Sequence, residues 1–97
     1  MERLFVYGSL MKSEIRIEVF NREIDGELDT LQGFRSLPHV GRMSLKPDGH
    51  SLVEGLVIEL KKPELAKADR HVGPAYKRKR FTLSHGKRAW VYLPVTS

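Results

Sequence analysis

The segment from Ser51 to Leu60 constrains the fold more than any other part of the chain. As an extended strand it places Leu52, Leu56, Ile58 and Leu60 on one face and Val53, Gly55 and Val57 on the other, because successive side chains point to opposite sides. Apolar character on both faces belongs to a strand that is covered on both sides. The chain therefore has to lay material over each face, either by curling its sheet into a barrel or by packing helices against it.

The flanking segments supply the other layers. Arg3 to Tyr7 is rich in strand formers, and Gly8-Ser9 breaks it. Ile15 and Val19 stand four apart with Phe20 alongside, which predicts a short helix from Lys12 to about Arg22. Gly26 to Leu37 reads as strand and turns, with Leu28, Leu31 and Phe34 apolar. Pro38 to His50 reads as irregular, punctuated by Gly41, Pro47, Asp48 and Gly49. Pro-Asp-Gly marks a turn, since proline presets one backbone angle and glycine tolerates positive φ.

Pro63 suits the first turn of a helix, where its missing N–H costs nothing. Glu64 to about His71 is predicted helical, and Gly73-Pro74 stops it. Ala75 to Ser84 and Arg88 to Leu93 are strands joined by a His85-Gly86 turn, a hairpin pattern. Strands outnumber helices without alternating regularly. The expected class is α+β, built on a mixed or antiparallel sheet that can curl into a barrel. At 97 residues, one domain spanning 1–97 is expected.

Composition narrows the chemistry. There is no cysteine, so disulfides, thiolate metal sites and a cysteine nucleophile are excluded. His39, His50, His71 and His85 include no pair at i,i+4, and no metal site is expected. The net charge of +5, from 17 Lys+Arg against 12 Asp+Glu, attracts anions in general. Lys77-Arg78-Lys79-Arg80 alternates between the faces of a strand, so it presents no flat basic surface, and nucleic-acid binding is not expected. Leu4 to Tyr7 is too short for a signal-peptide core and lacks a basic leader. No apolar stretch approaches the roughly 20 residues of a membrane span. A soluble cytoplasmic protein with no membrane partner is the expectation.

Four segments, taken in order, resemble the γ-glutamylcyclotransferase-like family. Val6-Tyr7-Gly8-Ser9-Leu10 is similar to its strand-to-loop signature. Ser51 to Leu60, with Gly55 inside it, resembles its central strand. Ala68-Asp69, then Gly73, then Tyr76-Lys77-Arg78 resembles its helix-end segment. Ala89-Trp90-Val91-Tyr92-Leu93 resembles its last strand. The resemblance implies a small mixed β-barrel with flanking short helices. It also implies cyclisation of a γ-glutamyl compound to 5-oxoproline, with release of the attached amine and no cofactor or metal.

That reaction needs a deprotonated amine, donors for the developing oxyanion and a substrate held folded for intramolecular attack. The resemblance assigns the holding to Tyr7, Gly8, Ser9 and Leu10, where glycine lets backbone approach a ligand and loop N–H groups can face an anion. It also places Tyr76 at the pocket, with Arg78 able to pair with a ligand carboxylate or a structural one. The family's proton-shuttling glutamate precedes the glycine of the helix-end segment, and that position is Val72. Leu65, Ala68 and Val72 share one helix face, so residue 72 is expected to point inward. Valine moves no proton. Asp69, one turn earlier, and Glu54, beside Gly55, are weaker substitutes for the base, and helical geometry turns His71 about 100° away, towards solvent. The expected function is a pocket for a small γ-glutamyl-like or carboxylate ligand with impaired or altered catalysis. The alternative is an active cyclotransferase that uses another carboxylate.

Overall fold

A computed structural model describes residues 1–39 and 42–95. In chain order it contains β1 (Glu2–Val6), a 3₁₀ turn (Ser9–Met11), α1 (Ser13–Phe20), β2 (Gly26–His39), β3 (Arg42–Leu60), α2 (Lys62–Val72), β4 (Tyr76–Thr82) and β5 (Arg88–Pro94). The five strands form one sheet in the order β2-β3-β1-β5-β4. β1 is antiparallel to β3 and parallel to β5, so the sheet is mixed. No helix among the described residues is long and apolar enough to cross a membrane.

The two faces of β3 account for the two cores. Ile58 and Leu60 join Leu4, Val6 and Tyr92 beneath the helices, where Phe20, Leu65 and Ala68 cover them. Val53 and Val57 face the other way and pack with Phe5, Leu31, Leu45, Leu83 and Val91 inside the curl of the sheet. Gly55 lies where β1 crosses closest. A Cβ there would stand 2.7 Å from the Phe5 ring and nearer still to the Val6 carbonyl oxygen. Only glycine fits without moving the central strand.

The sheet curls, but it is not a closed barrel. Its edges, β2 and β4, are joined by no ladder among the described residues. They meet at a seam beyond the end of β4, where Ser84 N–H donates to the Thr30 carbonyl at 3.0 Å and His85 N–H to Asp29 at 3.3 Å. β4 ends at Thr82 and spends its ladder on β5 alone, which leaves too little strand to complete the closure.

The reading of Pro38 to His50 as irregular is corrected by the β2–β3 hairpin. Its ladder runs from Phe34–Pro47 to His39–Arg42, and it buries Ser44 and Leu45. The Pro-Asp-Gly signal survives as a bulge: Gly33, at φ 89°, stands opposite Asp48 to Ser51. Asp48 accepts from His50 N–H at 3.0 Å and Ser51 Oγ–H at 2.9 Å, which satisfies that bend locally. Long-range pairing has overridden local turn chemistry. Residues 40 and 41, including Gly41, lie outside the described residues.

Both helices are sharply bounded. α1 stops before the predicted Arg22 because Asn21 adopts the left-handed conformation, at φ 58°. α2 begins with Pro63 in its first turn, and the Glu64 carboxylate accepts from Lys61 N–H at 2.8 Å. It ends at Gly73, φ 81°. Glu64 also receives two hydrogen bonds from Arg22, at 2.6 and 2.9 Å, tying the end of α1 to the start of α2.

Candidate functional site

β1 delivers the chain to Tyr7 at the edge of a cavity of about 590 Å³. The loop that follows is shaped from below. Met11 N–H and Lys12 N–H close on the carbonyls of Gly8 and Ser9 at 3.0 Å each. Arg16, buried on α1, donates to the carbonyls of Leu10 (3.0 Å), Met11 (2.7 Å) and Ile24 (2.9 Å). Three bonds from one guanidinium to main-chain oxygens fix the loop more firmly than its Gly-Ser sequence suggests. Tyr7 Oη–H donates to the Tyr92 carbonyl at 2.7 Å, which pins the ring across the cavity floor.

Five further elements complete the wall, β2 with Pro38 and β5 with Tyr92 among them. The end of α2 contributes His71 and Val72, the start of β3 contributes Arg42 and Met43, and β4 contributes Tyr76. Ser9 Oγ and His71 Nε2 are 3.1 Å apart, bridging the loop to the helix. Arg42 donates to the His71 carbonyl at 3.2 Å and lies 5.3 Å over the Tyr76 ring. Tyr76 Oη–H donates to the Met43 carbonyl at 2.9 Å. Leu10, Met43 and Val72 make much of the remaining surface apolar.

The residues singled out in the sequence divide into two groups. Tyr7, Gly8, Ser9, Leu10, Val72 and Tyr76 come together around the cavity. Asp69, Arg78 and Glu54 are not among its lining residues. Asp69 accepts two hydrogen bonds from Arg78, at 2.7 and 2.9 Å, and one from Tyr92 Oη–H at 2.7 Å. The Arg78 bonds, reinforced by that from Tyr92, hold its carboxyl below the usual range. Arg78 also lies 4.7 Å over the Trp90 ring, so its structural partner takes the group that a ligand would otherwise use. Glu54 is exposed on β3, opposite Thr30.

The expectation that His71 faces solvent is corrected. It is half-buried and lines the cavity beside Val72, because the Ser9 loop and Arg42 wrap the last turn of α2 from two sides. Arg42 and Met43 were not singled out, since their segment carries no local signal; only the hairpin fold brings them here. Burial, with the neighbouring Tyr76, raises the pKa of Tyr7. Burial and then the bond to Asp69 raise that of Tyr92. Among the described residues no group of three or more His, Asp or Glu is placed to hold a metal ion.

The architecture has solved counterparts. The chain is similar to the solution structure of At5g39720.1 from Arabidopsis thaliana, with a TM-score of 0.87 and 22% identity over 98% of this chain and 69% of that one. It is similar to the solution structure of At3g28950.1 from the same plant, with a TM-score of 0.85 and 22% identity over 97% of this chain and 62% of that one. The chain thus spans less than two thirds of the second plant protein. The crystal structure of the uncharacterized protein PH0828 from Pyrococcus horikoshii gives a TM-score of 0.79 and 16% identity, over 100% of this chain and 80% of that one. At these identities the likeness is one of fold. No curated protein matches the chain. The family model described as gamma-glutamyl cyclotransferase, AIG2-like, matches residues 4–96. With nearly the whole sequence accounted for by that model, the chain belongs to the γ-glutamyl cyclotransferase, AIG2-like family.

Proposed function

We propose that the cavity binds a small γ-glutamyl-like or carboxylate compound and that this chain is a member of its family with impaired cyclisation chemistry. The observation that carries this reading is Val72, half-buried in the cavity wall at the position where the resemblance expects a glutamate. In the cyclisation the substrate's α-ammonium loses a proton and its nitrogen attacks the γ-carbonyl. The bond to the leaving amine then breaks, and that amine takes up a proton. A group that accepts and returns this proton is worth on the order of 10²–10⁴ in rate.

Neither weaker substitute is well placed for the task. Asp69 is engaged by Arg78 and Tyr92, and Glu54 is exposed on β3. A second reading has one observation in its favour: His71 lines the cavity and its Nε2 is 3.1 Å from Ser9 Oγ. An imidazole has one nitrogen that can accept a proton and one that can donate it, the two acts the cyclisation requires. Release of 5-oxoproline from γ-glutamyl amines, measured for the wild type, Val72→Glu and His71→Gln, separates the two. Turnover that His71→Gln abolishes supports the second reading. Turnover that only Val72→Glu supplies supports the first.

A further inference from the structure

The cavity is electrostatically one-sided. Among its described lining residues Arg42 is a cation, His71 is an imidazole, and none is a carboxylate. The three tyrosine hydroxyl protons are directed into the protein: Tyr7 to the Tyr92 carbonyl, Tyr76 to the Met43 carbonyl and Tyr92 to Asp69. The phenol oxygens of Tyr7 and Tyr76 keep lone pairs that can accept a hydrogen bond, but they bring no negative charge. Burial holds Tyr7 in its neutral form. The nearby carboxylate, Asp69, is already neutralised by the two-pronged Arg78 contact.

A carboxylate entering this space gains the Arg42 guanidinium as a charge-assisted donor. An α-ammonium entering it meets that same guanidinium as a like charge and finds no anion to compensate its lost hydration. The flanking Leu10, Met43 and Val72 suit an uncharged carbon skeleton. Building on the reading of this cavity as a small-ligand site, we infer that it selects a compact monocarboxylate that lacks an ammonium group, such as a γ-lactam or an amide of a dicarboxylic acid, over the zwitterionic γ-glutamyl compounds. A valine at position 72, where the resemblance expects an acid, lacks two things together: a proton carrier, and the anion that an α-ammonium needs for company.

Two probes isolate this charge. Glutaric acid mono-methylamide and γ-glutamyl methylamide share the carboxylate, the chain length and the amide, and differ only in the α-ammonium. Their affinities are measured by calorimetric titration near pH 7, with backbone amide resonances of labelled protein mapping the place of binding. The expected result is binding of the glutaric amide at least ten-fold tighter, with shifts at Gly8 to Leu10 and at Val72. In Arg42→Met, at an exposed position, that preference falls at least three-fold. Equal or tighter binding of the γ-glutamyl amide with the same resonances moving, or a preference unchanged in Arg42→Met, overturns the inference while the cavity reading stands. Binding of neither probe, or shifts confined to other parts of the chain, overturns the cavity reading and the inference with it.

Discussion

Arg78 grips the Asp69 carboxylate with two hydrogen bonds, at 2.7 and 2.9 Å, across the gap between α2 and β4. The pair lies behind the cavity wall, and Tyr92 Oη–H completes the carboxylate's coordination from β5. Asp69 is in this way a structural brace between helix and sheet. Asp69→Asn is predicted to cost about 1–2 kcal/mol, because the amide nitrogen cannot accept the second Arg78 bond and the remaining bonds lose the carboxylate charge, in a partly solvated setting. Denaturant unfolding checks this, and an unchanged midpoint would show that the brace contributes nothing.

Among the described glycines, Gly55 has the least room for a side chain. Gly55→Ala drives a methyl group into the Phe5 ring and the Val6 carbonyl, and is predicted to destabilise by about 2–3 kcal/mol or more. Gly49→Ala is the control: its added Cβ meets no atom within 4 Å, so its effect should stay within about 0.5 kcal/mol. Thermal unfolding of the two variants side by side decides the matter.

Arg16 is predicted to govern the cavity loop from a distance. Arg16→Met leaves the carbonyls of Leu10, Met11 and Ile24 without their donor, at a cost of about 2–4 kcal/mol. Hydrogen exchange should quicken first at Met11 and Lys12, whose N–H groups close the loop. Uniform quickening across the sheet instead would mean that Arg16 supports global stability alone.

Glu64 sets an acid limit. The hydrogen bonds from Arg22, supported by that from Lys61 N–H, lower its pKa from 4.5 to about 2. Since the folded-state value is depressed, the stabilisation is complete above the ordinary glutamate range and drains away as pH falls from about 4.5 towards 2. Asp69, also depressed, adds to the loss in the same direction. Thermal unfolding over this interval should show Tm falling with pH, more shallowly in Glu64→Gln. Parallel curves for the two proteins would remove Glu64 as the cause.

Much of the fold was legible because it rests on local alternation and punctuation. The two-faced pattern of Ser51 to Leu60 anticipated both cores, Pro63 and Gly73 bounded α2, and His85-Gly86 marked the final hairpin. What escaped depends on partners distant in the chain. Arg42 and Met43 acquire a strand and a place at the cavity only because β2 lies alongside them. Arg16 looks like an ordinary surface charge until the carbonyls of two loops are folded around it. His71 was misplaced because a helical wheel assumes an open outer face, whereas a helix terminus can be enclosed by other segments. The barrel expected from the two-faced strand remained an open sheet, since closure depends on the length of β4 and not on the composition of β3.

The central claim concerns one side chain in the cavity wall, and 5-oxoproline release from a γ-glutamyl amine tests it most directly. The account predicts release by the wild type close to the uncatalysed background, and a gain on the order of 10²–10⁴ in Val72→Glu, provided that unfolding of the variant shows it folded at the assay temperature. Wild-type turnover equal to or above that of a folded Val72→Glu would contradict it.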